Sequence, residues 1–152
     1  MKYLKIILAS AVGLASASVI TLAHDGATGM VMQRMEAMKE ISNSMKSISA
    51  MVKGEAAFDG AVVEASASVI AEHAKHMPHM FPEGSLDKPT EALPVIWTQW
   101  DRFTEIASGL NTDALALAEA AKTASSAKDI LPQLGAVGKS CKACHQDYRL
   151  AK

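Results

Sequence analysis

Across residues 29–53 the apolar positions fall at Val31, Met38, Ile41, Met45, Ile48 and Val52, with Arg34 interrupting the series. Steps of three and four are the pattern of an amphipathic helix with one buried stripe. Gly54 follows and suits a helix C-terminus. Asp59 is a good N-cap for a second helix, whose face runs through Val63, Ala67, Ile70, Ala74 and Met77 until Pro78 and Pro82 break it. Residues 82–90, rich in Gly, Ser, Pro and Asp, make the longest connection. Pro94 suits the first turn of a third helix with the stripe Ile96, Trp100, Phe103, Ala107, Leu110, Ala114, Leu117 and Ala121. A fourth begins near Asp129, keeps Pro132 inside its first turn, and carries Leu134, Val137, Cys141, Cys144 and Tyr148 on one stripe. No segment alternates with the period of a strand. These single-stripe helices with short connections predict an all-α fold, an antiparallel four-helix bundle.

Residues 1–23 read differently, as a cleaved secretory signal. Lys2 and Lys5 form its basic start, residues 6–20 are apolar and free of acids, and Thr21-Leu22-Ala23 offers a cleavage site. An uncleaved anchor is the alternative, but the apolar run is short for a full span. The mature part is then one small domain, residues 24–152, in the periplasm, touching a membrane only through a signal that was kept. Losing the two lysines shifts the formal charge from -1 to -3. The chain has no basic run or stripe with interleaved aromatics, so nucleic acid is not expected.

The chemistry lies near the end of the chain, where residues 141–145 read Cys-Lys-Ala-Cys-His and hold both of its cysteines. Cys-x-x-Cys-His is a covalent haem attachment sequence. Two thiols one helical turn apart add across the two vinyl groups of a haem, and the adjacent imidazole meets the iron. A thioredoxin-like pair would usually open a helix after a strand, and zinc would need further ligands. A disulfide would suit an oxidising compartment, yet the spacing and the trailing His145 favour thioethers. One haem c is therefore the expected cofactor.

A bundle with this motif near its C-terminus resembles the class II cytochromes c, namely cytochrome c-prime and the low-spin cytochrome c-556. The likeness spans the mature chain. It rests on Arg34 and Met38, Lys-Gly-Glu at 53–55 before Phe58-Asp59, Phe-Pro-x-Gly-Ser at 81–85, Pro-x-Ile-Trp at 94–97, and Cys-Lys-Ala-Cys-His-Gln-Asp-Tyr-Arg at 141–149. The resemblance implies that Cys141 and Cys144 hold the macrocycle and that His145 is the fifth ligand. It places Arg149 close to that imidazole, where the alternative is an exposed cation favouring the helix dipole. Low-spin relatives carry their sixth ligand at the place of Met38. In cytochrome c-prime the same place holds an apolar residue that covers the iron.

Thioether suits haem iron, and Met/His ligation favours electron transfer. The plainer reading of Met38 is core filler, since the chain has nine methionines and Met packs irregular gaps. Met35 and Met45 compete on the same helix, the first off the stripe and the second two turns on. Arg34 is odd on physical grounds alone, because a guanidinium facing a core must be paired and no acid occupies a matching position. A haem propionate would supply the anion, as it does at the matching place in the family; the alternative is that Arg34 reaches out to solvent. His73, His76 and His79 carry a metal-site reading and a solvated-helix-end reading. Trp97 and Trp100 are expected to pack in the core and at the haem edge.

The expected function is a single-haem electron carrier serving periplasmic redox proteins, with a homodimer compatible with the sequence. The alternative is a five-coordinate protein that binds nitric oxide or carbon monoxide. An enzyme is not expected, because the first stripe offers only Arg34 as a polar group for the distal side.

Overall fold

A computed structural model of the protein describes residues 27–151, so the expected signal at 1–23 lies outside the described residues. Helix α1 spans Gly29–Val52 and α2 spans Gly60–His76, continued by a 3-10 turn at Met77–Met80. A single turn, α3, covers Val95–Thr98 and leads into α4, Trp100–Ala121. A second 3-10 turn at Ala127–Ile130 opens α5, Leu131–Tyr148. Among the described residues the only extended pairing is an isolated antiparallel bridge between Ala92 and Arg149. None of the described helices is long and apolar enough to cross a membrane.

The ends of these helices follow local chemistry. After α1, Gly54 takes φ +76, a left-handed conformation that glycine adopts without strain. Asp59 caps α2 by accepting from the backbone N–H groups of Ala61 and Val62 at 2.9 and 3.2 Å. Ser126 and Asp129 form a reciprocal capping box ahead of α5.

Two expectations about phase need correction. The stripe α1 buries is Val31, Arg34, Ala37, Ile41, Ser44, Ile48 and Met51. Met38, Met45 and Val52 lie beside it, half-buried against the rim of the core. The small Ala37 and Ser44 take buried places on the stripe, and Met38 and Met45 flank them. The third helix is also not continuous. Gln99, at φ -122 and ψ 36, separates α3 from α4. Trp100 therefore opens a new helix and is 37% exposed, its ring lying 5.6 Å from that of Phe103, which is buried.

The most extensive packing is between α2 and α4, followed by α4 with α5 and α1 with α2. Small residues make the first of these close. A Cβ built on Gly60 would stand 2.6 Å from the Ala121 carbonyl oxygen, so the start of α2 rests directly on the end of α4. Phe103 centres an aromatic group, edge-on to Phe81 at 5.0 Å and to Tyr148 at 5.4 Å. Helices α1 and α5 make almost no close main-chain approach to each other, although both pack on the shared core. Instead α1 packs on α2, and α5 packs on α4.

Candidate functional site

Cys141 and Cys144 are free, half-buried thiols one turn apart on α5, and both pack on the core. Burial pushes both upward in pKa; Cys144 reaches about 11, with Cys141 and Asp147 adding to the desolvation. Thiols held neutral are the opposite of the activated thiolate a redox Cys-x-x-Cys requires. Beside Cys141, the Ser140 hydroxyl donates to Asp113 Oδ2 at 2.7 Å and ties α5 to α4.

His145 follows on the exposed side of α5. Desolvation of the covered part of its ring, then the Arg149 cation, disfavours the imidazolium, while Glu91 acts in the opposite direction. A neutral imidazole is the form that ligates a metal. Among the described residues no group of three or more His, Cys, Asp or Glu side chains converges to hold a metal ion. A pair of unactivated thiols at helical spacing, followed by a neutral accessible imidazole, fits covalent haem attachment and does not form a zinc cage.

Arg34 faces inward and is only 5% exposed. Its Nη1 donates to the Met80 carbonyl at 3.1 Å and to Ser85 Oγ at 3.0 Å, and its Nη2 donates to the Ser85 carbonyl. The guanidinium also lies 4.6 Å from the centre of the Phe81 ring. Trp97 Nε1 donates to the Phe81 carbonyl at 3.0 Å, and Gly84, at φ +81, turns the chain back so that Ser85 can reach Arg34. The Phe-Pro-x-Gly-Ser segment is thus a receptor for the α1 arginine. Among the described residues no carboxylate forms an ion pair with Arg34, and burial disfavours its charge. The solvent-directed reading is overturned, because carbonyls, a hydroxyl and a ring face receive the guanidinium inside. Met38 lies one turn beyond, half-buried against the core; Met45 is placed similarly.

Arg149 stands past the end of α5 in extended backbone, φ -118 and ψ 138, rather than on a further helical turn. Main-chain bonds from Leu93 N–H to the Tyr148 carbonyl (2.9 Å) and from Leu150 N–H to the Glu91 carbonyl (2.7 Å) hold this tail. Its guanidinium donates from Nε and Nη2 to Glu91 Oε2, at 2.8 and 2.6 Å. The plain helix-dipole cation is therefore replaced by an ion pair. The histidines of α2 and the turn after it do not converge either: His73 meets Glu40 at 2.6 Å, His76 meets Glu72 at 2.8 Å, and the His76 and His79 rings are 6.3 Å apart. Trp97 is half-buried as expected, whereas Trp100 is exposed.

The structure gathers Cys141, Cys144, His145 and Arg149 at one end of α5, and Arg34 with Met38 on α1. Ser85, Phe81 and Glu91 were not identified as site residues from the sequence. Their partners lie 51 positions away for Ser85 with Arg34 and 58 for Glu91 with Arg149, beyond the reach of any helical spacing. Phe81 and Ser85 entered the sequence reading only as part of a family motif.

A family model described as Cytochrome C' matches residues 29–149. Cytochrome c-556 of Agrobacterium fabrum is 38% identical over 126 residues, which is 83% of this chain and 84% of that protein. A solved structure of cytochrome c' from Rhodopseudomonas palustris superimposes with a TM-score of 0.76 at 35% identity, covering 83% of this chain and 99% of that one. A nitric oxide complex of a cytochrome c prime variant from Alcaligenes xylosoxidans gives 0.71 at 27% identity, with 81% and 94% covered. Bundle and attachment motif together define a c-type cytochrome built on helices, with the haem held near the C-terminus. The chain belongs to the cytochrome c' family, and covalently attached haem c is its cofactor. Relatives named c-556 and c' resemble it almost equally, so the distal face is read from its own residues.

Proposed function

We propose that this protein is a periplasmic single-haem electron carrier in which His145 and Met38 ligate the iron from opposite sides. The observation that carries this reading is the place of Met38: a soft thioether, half-buried at the rim of the core, one turn from a buried arginine. Bound there, haem c supplies a one-electron iron centre whose potential Met/His ligation raises.

The chain's own residues do the rest. Cys141 and Cys144 anchor the macrocycle to α5, and the neutral His145 ring serves as a ligand without first losing a proton. Arg34 has five N–H donors, of which three are taken by the Met80 carbonyl and Ser85. The remainder support a propionate contact, which would also compensate a buried cation that has no carboxylate partner among the described residues. Ligands carried on packed helices rather than loops would keep reorganisation small between oxidation states. The signal at 1–23 supports export to the periplasm, where redox proteins would be the partners.

Replacing Met38 with Ala tests the reading. The variant is expected to become high-spin and to take up carbon monoxide readily, while the parent stays low-spin and takes it up slowly. A second reading, a five-coordinate gas-binding protein, draws support from the nitric oxide complex of the Alcaligenes relative. In that case Met38 is a lid, and the parent and Met38→Ala proteins should have the same spin state.

A further inference from the structure

Glu91 belongs to the connection between the second and third long helices, far in sequence from the haem-attachment helix. The fold nevertheless brings it to the tail of α5. Two main-chain hydrogen bonds, Leu93 N–H to Tyr148 and Leu150 N–H to Glu91, set these segments antiparallel just beyond the turn that carries His145. Tyr148 adds a side-chain bond from its hydroxyl to Gln99 Oε1 at 3.2 Å and packs edge-on against Phe103. The tail is therefore fixed by main chain and by core packing, independently of any charge.

On this scaffold Glu91 Oε2 receives two nitrogens of Arg149, at 2.8 and 2.6 Å. A staple already made by the backbone does not need the ion pair to hold it, and an isolated surface pair is worth only about 0–1 kcal/mol. What the carboxylate does is fix where the guanidinium charge sits. It also brings a compensating charge to the same place. Arg149 follows His145 by only four residues, so two opposite charges are fixed just beyond the proximal turn.

We propose that Glu91 is a positioning residue for the proximal side of the haem: it holds Arg149 in place and partly offsets its charge there, so that the two charges together tune the reduction potential. The inference rests on His145 as the proximal ligand and stands whichever role Met38 has. Oxidation adds one positive charge at the iron. With Glu91 neutralised, the uncompensated Arg149 disfavours that charge and the potential rises. With Arg149 neutralised, its cation no longer opposes that charge and the potential falls.

The test is redox titration of the haem-loaded parent, Glu91→Gln, Arg149→Gln and the double variant, all charge-removing changes at half-exposed positions. Glu91→Gln should shift the one-electron equilibrium roughly three- to tenfold toward the reduced form at low salt, and less at high salt. Arg149→Gln should shift it the other way, and the double variant should lie between the two single variants. A merely structural staple predicts lowered thermal stability with the potentials unmoved, and that outcome, or two single shifts of the same sign, would overturn the proposal. The absorption spectrum of the parent reads the foundation separately. Absence of imidazole ligation there would overturn the proximal assignment and this inference with it, whereas an imidazole-ligated parent with unmoved variant potentials would overturn this inference alone.

Discussion

A guanidinium taken out of water has to find acceptors, and Arg34 finds them in a loop 51 positions away. That it turns inward was legible in the sequence, because it interrupts an apolar stripe at a helical step. Its partners were not, because a main-chain carbonyl has no sequence signature and only the fold brings Met80 and Ser85 to α1. The consequence is testable. Arg34→Leu fits the stripe by hydrophobicity, and a solvent-directed arginine would make it neutral. The buried arrangement predicts instead a loss of about 2–4 kcal/mol in chemical denaturation, since buried carbonyls lose their donor. Ser85→Ala should cost roughly 1 kcal/mol and leave the reduction potential unchanged. Arg34→Leu should move the potential as well if it also serves a propionate. Equal stability for Arg34→Leu and the parent would contradict the buried clasp.

Among the elements, four long helices and their caps could be read from periodicity, from Asp59, Gly54 and the prolines. The phase of α1 and the break at Gln99 could not. Hydrophobicity alone favours Met38 and Met45 as the stripe, but the smaller Ala37 and Ser44 are the residues buried there. Close approach governs the α2–α4 contact. Gly60→Ala would force a methyl to 2.6 Å from the Ala121 carbonyl, a main-chain atom that can yield only if the helices separate. A loss of about 1–3 kcal/mol is expected from thermal denaturation, and a neutral outcome would mean that this contact is looser than described. At the start of α5, backbone and hydroxyl donors of Ser125 and Ser126 hold the Asp129 carboxyl below its ordinary value of 3.8. A depressed folded pKa stabilises above the unfolded pKa, and the effect is lost as pH falls through the folded one. Parent and Asp129→Ala should therefore differ in stability at neutral pH and converge as pH falls below about 4, the ordinary carboxyl range. A gap that stays constant down to strongly acid pH would show that the charge of Asp129 is not what caps this helix.

At the scale of the whole molecule, bundle and haem were legible because one short motif and one periodicity each have few solutions. The distal side was less so, since a methionine beside a core stripe is equally good as ligand and as filler. The fold adds that α1 packs on α2 and α5 on α4, with almost no close main-chain approach between α1 and α5. Residues on the two helices thus belong to separate elements that a shared cofactor would link. Intact mass of material recovered from the periplasm should equal the chain from His24 plus one haem that acid–acetone does not extract. Extractable haem would contradict attachment through Cys141 and Cys144. The central claim, that Met38 completes the coordination and makes this an electron carrier, is tested most directly by the absorption spectrum of the unmutated protein in both oxidation states, with carbon monoxide added to the ferrous form. The ferric protein is expected to show the weak near-infrared band of a thioether–iron bond, and the ferrous protein to be low-spin and to take up carbon monoxide slowly or poorly. A ferrous protein that is high-spin and binds carbon monoxide at once would contradict that claim.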